Sequence, residues 1–318
     1  MLEKLNIMII VKPFWKTLAK HRPKYDFLLE LKKHANVLFW THDGDIVQIL
    51  RNLKNKHQYE PDFILHYDNA YPHFSPVVTG LEQISIPKGY YVMDVYPPAS
   101  TEARTQFMEQ SKFDLIFSVT KQAFLSEFPQ FQKSFRWLPF SINPNVFKDF
   151  QEKKSIDYLL MGLVDFGTDD VYPFRKHVLA TMKDVPGFVH HAHPGHFVSY
   201  KDATFVNERY AKEINKAKIF FTCGSRYKYP VMKFFEALAC KTLLIAESNE
   251  DIKELGFADG VHYVAATKDD VAARAQEWLK HESLRSTITK NGYELVHRLH
   301  TNAHRAKQFI QSIHQLKG

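Results

Sequence analysis

The chain alternates short apolar runs with longer segments whose apolar residues recur every three or four positions. LNIMIIV (5–11), NVLFWT (36–41), PDFILHYD (61–68), GYYVMDV (89–95), FDLIFSVT (113–120) and FRWLPF (135–140) predict buried strands. Helical periodicity fills the gaps at 25–34, 45–54, 101–111 and 121–127. Buried strands alternating with amphipathic helices specify βα units and a mostly parallel sheet. SINPNVFKDFQEKKS (141–155) breaks the rhythm with polar residues and a proline, as a domain linker does. The pattern then restarts. IDYLLMG (156–162), GFVHHA (187–192), AKIFFTCG (217–224) and TLLIA (242–246) are strands, PFRKHVLATMKD (173–184) and PVMKFFEALAC (230–240) helices, and 267–281 and much of 282–316 helical. Two α/β domains are expected, with ligands at the carboxyl ends of the strands, against helix N-termini.

At 318 residues the chain is long enough for two such domains. No apolar stretch reaches the ~18 residues of a membrane span, and the first strand does not read as a signal peptide. The two cysteines, Cys223 and Cys240, form no CxxC pair, so a reduced, cytoplasmic protein is expected. The net charge of +7 suits phosphorylated small molecules, nucleic acid or peripheral contact with an anionic membrane surface.

The segment FFTCGSRYKYPVMKFFEALAC holds the strongest chemistry. A strand ends at Cys223, a polar loop carries Gly224, Ser225, Arg226, Lys228 and Tyr229, and Pro230 is expected to open the next helix. Free N–H groups and the dipole favour an anion there, and Lys233 adds charge. Met232, Phe235, Leu238 and Ala239 form the apolar stripe, with Lys233 and Glu236 off its centre. Spacing alone leaves two readings of these two residues, a solvated pair or a ligand site. In MGLVDFGTDDVYPFRK, Gly162 and Gly167 follow a strand and precede a helix bearing Arg175; the spacing is not GxGxxG. HHAHPGH (190–196) suggests zinc, yet no carboxylate or cysteine stands nearby at ligand spacing. A turn or a cleft-lining loop is expected instead, with His193 or His196 touching phosphate. In the first domain His66, Asp68 and Asp94 follow strands, where they could serve an acceptor as catalytic groups or simply cap turns.

Taken together, LPFSINPNVFK, YLLMG…YPFRKHVL, YAKEINKAKIFF, the Glu236 helix and HTNAHRAKQFI resemble the GT-B glycosyltransferases, within them the glycosyltransferase group 1 and CgeB-like (spore-maturation-protein-like) families. The resemblance covers roughly 141–310. It implies two Rossmann-like domains with a cleft between them: an acceptor domain at 1–145, a nucleotide-sugar domain at 146–300, and a C-terminal helix at 301–318 returning to the first. It implies that Glu236 bonds the donor ribose, that Lys233 and Arg175 lie near the diphosphate, and that the Gly162 turn approaches the donor. Ser225, Arg226, Tyr229 and His193 complete the donor-binding expectation. Eight positions before Glu236, where many retaining members carry a second Glu that touches the sugar, this chain has Lys228, and Lys241 replaces the usual Gly after the Ala-Cys pair.

The expected activity is a metal-independent, hexosyltransferase-type transfer from a nucleoside-diphosphate sugar, a UDP-sugar by the resemblance, with retention and without a cofactor. The acceptor is open: glycan, protein, small molecule or DNA. The alternatives are a DNA-modifying sugar transferase, for which the positive charge speaks, and a non-catalytic nucleotide-sugar-binding protein.

Overall fold

The structure is a computed structural model that describes residues 4–68, 73–95, 100–165, 170–195, 197–202 and 204–317. Gly167 and His196 lie outside the described residues. The chain divides into two units, one of Met1–Lys16, Tyr25–Pro139 and Arg305–Gly318, the other of Thr17–Lys24 and Phe140–His304.

In the first unit β1 (Asn6–Ile10), α1 (Arg22–His34), β2 (Asn36–Trp40), β3 (Gly44–Asp45), α2 (Ile46–His57), β4 (Phe63–Tyr67), β5 (Val78–Thr79), β6 (Lys88–Val92), α3 (Thr101–Ser111), β7 (Leu115–Ser118), α4 (Gln122–Glu127) and β8 (Phe135–Trp137) follow in order, with the first turn of α1 counted in the other unit. Six strands form a parallel sheet in the order β2-β1-β4-β6-β7-β8, and β3 pairs with β5 separately. β4 and β6 are buried along their whole length, as central strands covered on both faces must be. Asp45 caps α2, its carboxylate accepting from the Gln48 N–H at 3.0 Å. On α3 the buried residues are Arg104, Met108 and Ser111, one face of a helix that buries an arginine.

In the second unit β9 (Ile156–Met161), α5 (Pro173–Met182), β10 (Phe188–His191), α6 (Asn207–Asn215), β11 (Ala217–Phe221), α7 (Met232–Ala239), β12 (Leu243–Ala246), α8 (Glu250–Glu254), β13 (Val264–Ala265), α9 (Val271–Lys280) and α10 (Glu282–Leu299) build a parallel sheet in the order β10-β9-β11-β12-β13. Period-two alternation sorts the strand residues. Tyr158, Leu160, Ile219, Phe221, Leu243 and Ile245 join α5 and α9 in one core. Leu159, Met161, Phe220, Leu244 and Ala246 join α6, α7 and α10 in the other. The stretch expected as a linker belongs to this second core, because Ile142 and Phe147 are buried in it. The last helix, α11 (Asn302–Lys317), begins beside the second unit but counts mostly with the first. Its Phe309 ring lies 6.0 Å from Phe63 and 4.7 Å from Phe117, and Arg305 Nε donates to Pro139 O at 3.0 Å.

Candidate functional site

The second unit gathers its chemistry where β9, β11 and the start of α7 end or begin. The helix expected from Pro230 starts two residues later. Val231 is extended at φ −65°, ψ 160°, so Met232 is the first helical residue and Lys233 stands in the first turn. Every residue from Phe234 to Ala239 is buried, Glu236 included at 4% exposure. That excludes the solvated-pair reading of Lys233 and Glu236. The opposite side of α7 is covered because Gly292 on α10 lets that helix close in: a Cβ there would stand 2.8 Å from Leu238 Cδ2.

Gly162 ends β9 at φ +112°, a conformation that glycine alone adopts without strain. An added Cβ would strike Lys233 Cε and lie 2.7 Å from Arg175 Nη1. The turn is therefore tight because two cationic side chains fill the space a side chain would need. Arg175 is buried; its Nε donates to Cys223 Sγ at 3.2 Å and its guanidinium lies 3.6 Å over the Tyr172 ring. Cys223 Sγ also accepts from the Ser225 N–H at 3.4 Å, tying Ser225, itself at φ +56°, to the arginine. Lys233, half-buried, holds its ammonium 4.9 Å from the Tyr210 ring centroid. The Tyr210 hydroxyl is buried without a hydrogen-bond partner of good geometry and lies beside Glu236.

Burial raises the Glu236 carboxyl above the usual carboxylate range, against the opposing pull of Lys233, Tyr210 and Lys20. Burial likewise lowers Lys233, opposed by Glu236 and reinforced by Arg175. Lys20, from the Thr17–Lys24 segment of this unit, is pushed down to about 6, first by burial and then by Lys24, Lys233 and Arg175, with Glu236 opposing.

Gly162, Arg175, Lys233, Glu236 and, through Cys223, Ser225 are thus brought together. Tyr229 is buried with its N–H on Gly224 O at 2.9 Å, whereas Arg226 is exposed and donates its N–H to Val171 O at 2.9 Å. His193 Nδ1 accepts from the Gly195 N–H at 3.0 Å, and His191 Nε2 lies 2.9 Å from Glu213 Oε1. Among the described residues no group of three or more His, Cys, Asp or Glu is placed to hold a metal ion. Lys20 and Tyr210 were not expected from the sequence. The signal for Lys20 was TLAKHRPK (17–24), three formal cations without a carboxylate in the stretch between the first strand and the first helical pattern. Tyr210 gave none.

In the first unit Asp68 is fully buried and accepts from Arg104 Nη2 at 3.2 and 3.1 Å and from the Met93 N–H at 3.0 Å. This ion pair accounts for both buried charges. His66 is buried, its ring 5.0 Å from that of Phe107, and burial lowers its pKa to about 4. Asp94, after β6, is half-buried.

The fold is that of the GT-B glycosyltransferases. Residues 175–311 match the family described as "Glycosyl transferase-like". Among solved structures, Anabaena HepE in complex with UDP and glucose is 11% identical at a TM-score of 0.58, over 98% of this chain and 100% of that one. Sucrose-phosphate synthase from Thermosynechococcus elongatus is 13% identical at 0.63, over 98% and 99%. An alpha-glucosyltransferase in complex with UDP-glucose and DNA containing an abasic site is 12% identical at 0.58, over 98% and 100%. No curated protein matches the chain by sequence.

Proposed function

We propose that the protein is a glycosyltransferase that takes a sugar from a nucleoside-diphosphate sugar, with UDP as the nucleotide, and retains its anomeric configuration. The observation that carries this reading is the pair Arg175 and Lys233 packed against the Gly162 turn, one helical turn from buried Glu236. A cation pair at a glycine turn and a helix start suits a diphosphate. A buried carboxylate suits the two vicinal hydroxyls of a ribose, each donating to one oxygen. The UDP complex of the similar HepE agrees with this choice of nucleotide.

In this mechanism the bond from the anomeric carbon to the β-phosphate oxygen breaks and negative charge grows on the departing diphosphate. Arg175, held by Cys223 and Tyr172, keeps its proton at any working pH and meets that charge together with Lys233. Because both are in place before the reaction, no reorganisation is needed as the charge develops. The acceptor oxygen bonds the anomeric carbon on the face the phosphate leaves, and its proton passes to a phosphate oxygen. The cations come from the chain, so the scheme needs no metal. On the acceptor side Asp94 is our candidate, because His66 and Asp68 are buried in packing and ion pairing of their own. Two buried free thiols, Cys223 and Cys240, suit a cytoplasmic setting, and the motifs favour the CgeB-like branch.

A DNA acceptor is the second reading, favoured by the +7 charge and by the DNA complex of one similar enzyme; it requires duplex binding that weakens steeply with salt. The main test is a thermal-shift series with UDP-, GDP- and ADP-sugars, followed by an assay for released nucleotide. A UDP-sugar should raise Tm for the wild type and not for Glu236→Ala. The reading fails if no nucleotide sugar shifts the wild type, or if the variant responds equally. Binding without release of UDP would identify a non-catalytic binding protein instead.

A further inference from the structure

Tyr210 stands in the first turn of α6, whose Tyr210, Ala211 and Ile214 share one core with Phe234, Phe235 and Ala237 of α7. Its ring is held from two directions. The Phe147 ring meets it edge-on at 6.1 Å, and the Lys233 ammonium lies 4.9 Å from its centroid. Lys233 also crowds the Gly162 turn, and Glu236 follows it three residues later on the same face of α7. Helical side chains lean toward the N-terminus of their helix, so Glu236 reaches back to the level of Lys233 and the Tyr210 ring. The Tyr210 hydroxyl is buried and makes no hydrogen bond of good geometry, and Glu236 is the carboxylate beside it. Buried polar groups nearly always have a partner, and a phenylalanine would fill this space without an unsatisfied hydroxyl. A donor that lacks an acceptor thus stands next to a buried acceptor.

We propose that Tyr210 is a positioning residue of the donor site: when the nucleotide is bound its hydroxyl donates to one oxygen of Glu236 and aims that carboxylate at the two ribose hydroxyls. The assignment rests on the nucleotide reading above and deepens it by naming what orients the ribose acceptor. Each carboxylate oxygen accepts more than one hydrogen bond, so the tyrosine and the ribose can share Glu236. The titratable groups facing Glu236 are Lys233 on its own helix, Tyr210 on α6, Lys20 from the Thr17–Lys24 segment and the Cys240 thiol. Tyr210 is the neutral donor among them, and its hydrogen bond favours the ionised carboxylate against the burial that raises its pKa. Without the hydroxyl Glu236 takes up a proton at higher pH, and a protonated carboxyl offers the diol one acceptor oxygen fewer.

The test is calorimetric titration of wild type, Tyr210→Phe, Glu236→Gln and the double variant with uridine, UDP and inorganic pyrophosphate, from about pH 5 to about pH 8. Tyr210→Phe should weaken uridine and UDP by about tenfold, the value of a charge-assisted hydrogen bond. Pyrophosphate should stay within about twofold, because the aromatic ring facing Lys233 remains. The loss of uridine affinity on acidification should set in at higher pH in Tyr210→Phe than in the wild type, a shift that a tyrosine serving only to pack would not produce. In the Glu236→Gln background the same substitution should cost uridine less than about threefold, because the two residues act as one unit. The proposal is overturned if Tyr210→Phe binds uridine as the wild type does, if uridine and pyrophosphate weaken together, if the acid limb does not move, or if the two substitutions add in full. If the wild type binds none of the three ligands, the nucleotide reading falls with it; if the wild type binds UDP and Tyr210→Phe changes nothing, the role of Tyr210 alone falls.

Discussion

Glu236→Gln should move the affinities of two fragments of one ligand in opposite directions. Glu236 is 4% exposed and shares its surroundings with Lys233, Lys20 and Tyr210. As the acceptor for ribose hydroxyls it makes hydrogen bonds worth about 1.5–3 kcal/mol through its charge, so uridine should bind roughly 10- to 150-fold more weakly to the variant. As the carboxylate among these cations it also repels any incoming anion. At a separation of ~8 Å and an effective dielectric of ~20, removing that charge is worth about 2 kcal/mol to a bound anion. Solvent around half-buried Lys233 and a still less favourable Lys20 ammonium trim the gain, leaving inorganic pyrophosphate about three- to thirtyfold tighter. Calorimetric titration at low salt reads both constants directly, and it is preferred to thermal shift because the variant leaves Lys233 without its carboxylate and lowers the apo Tm. Pyrophosphate weakening in step with uridine would refute the assignment of the anion to Arg175 and Lys233 and of the diol to Glu236.

Gly162→Ala should fold with a lower Tm, because φ +112° costs a residue with a Cβ about 1–2 kcal/mol and the new methyl displaces the Lys233 and Arg175 side chains; UDP should weaken by about tenfold or more in titration while uridine changes less. His66 gives stability an acid limb. Its folded pKa of about 4 lies below the ordinary 6.5, so the unfolded chain takes the proton first. Stability is complete above pH 6.5 and falls by about 3 kcal/mol as pH drops to 4. Denaturant midpoints across that range should flatten in His66→Leu.

Short continuous apolar runs made the strands of both sheets legible, because every residue of FILHY and the last four of IDYLLM are buried. The helix of Glu236 was legible as an element, but its start and its burial were not. Nothing local distinguishes Pro230 as a first helical residue from Pro230 as the end of an extended loop. The full burial of α7 depends on Gly292, more than fifty residues on, letting α10 approach. Asp68 read as a strand-end carboxylate that could serve an acceptor or cap a turn. Its partner Arg104 comes from a helix whose buried face carries polar residues, which periodicity assigns to solvent. Gly162, Arg175 and Lys233 could be picked out one by one from their motifs. That the two cations fill the space above the glycine is a three-dimensional fact. Lys20 was invisible for the same reason, since the charged groups that act on it include Arg175, Lys233 and Glu236 from the other half of the chain.

The placement of α11 sets an order on biosynthesis. Phe309 completes the packing around Phe63 and Phe117, and Gln308 Nε2 donates to Trp137 O at 2.7 Å. The first unit must therefore wait until the whole of Phe140–His304 has been made, and α11 after it, before its core is whole. At ~5–20 residues per second, the intervening Phe140–His304 takes on the order of ten to thirty seconds to make. Throughout that interval Phe63 and Phe117 lack their partner, so the nascent chain presents an aromatic surface that chaperones can hold, and folding of the first unit during synthesis stops one helix short.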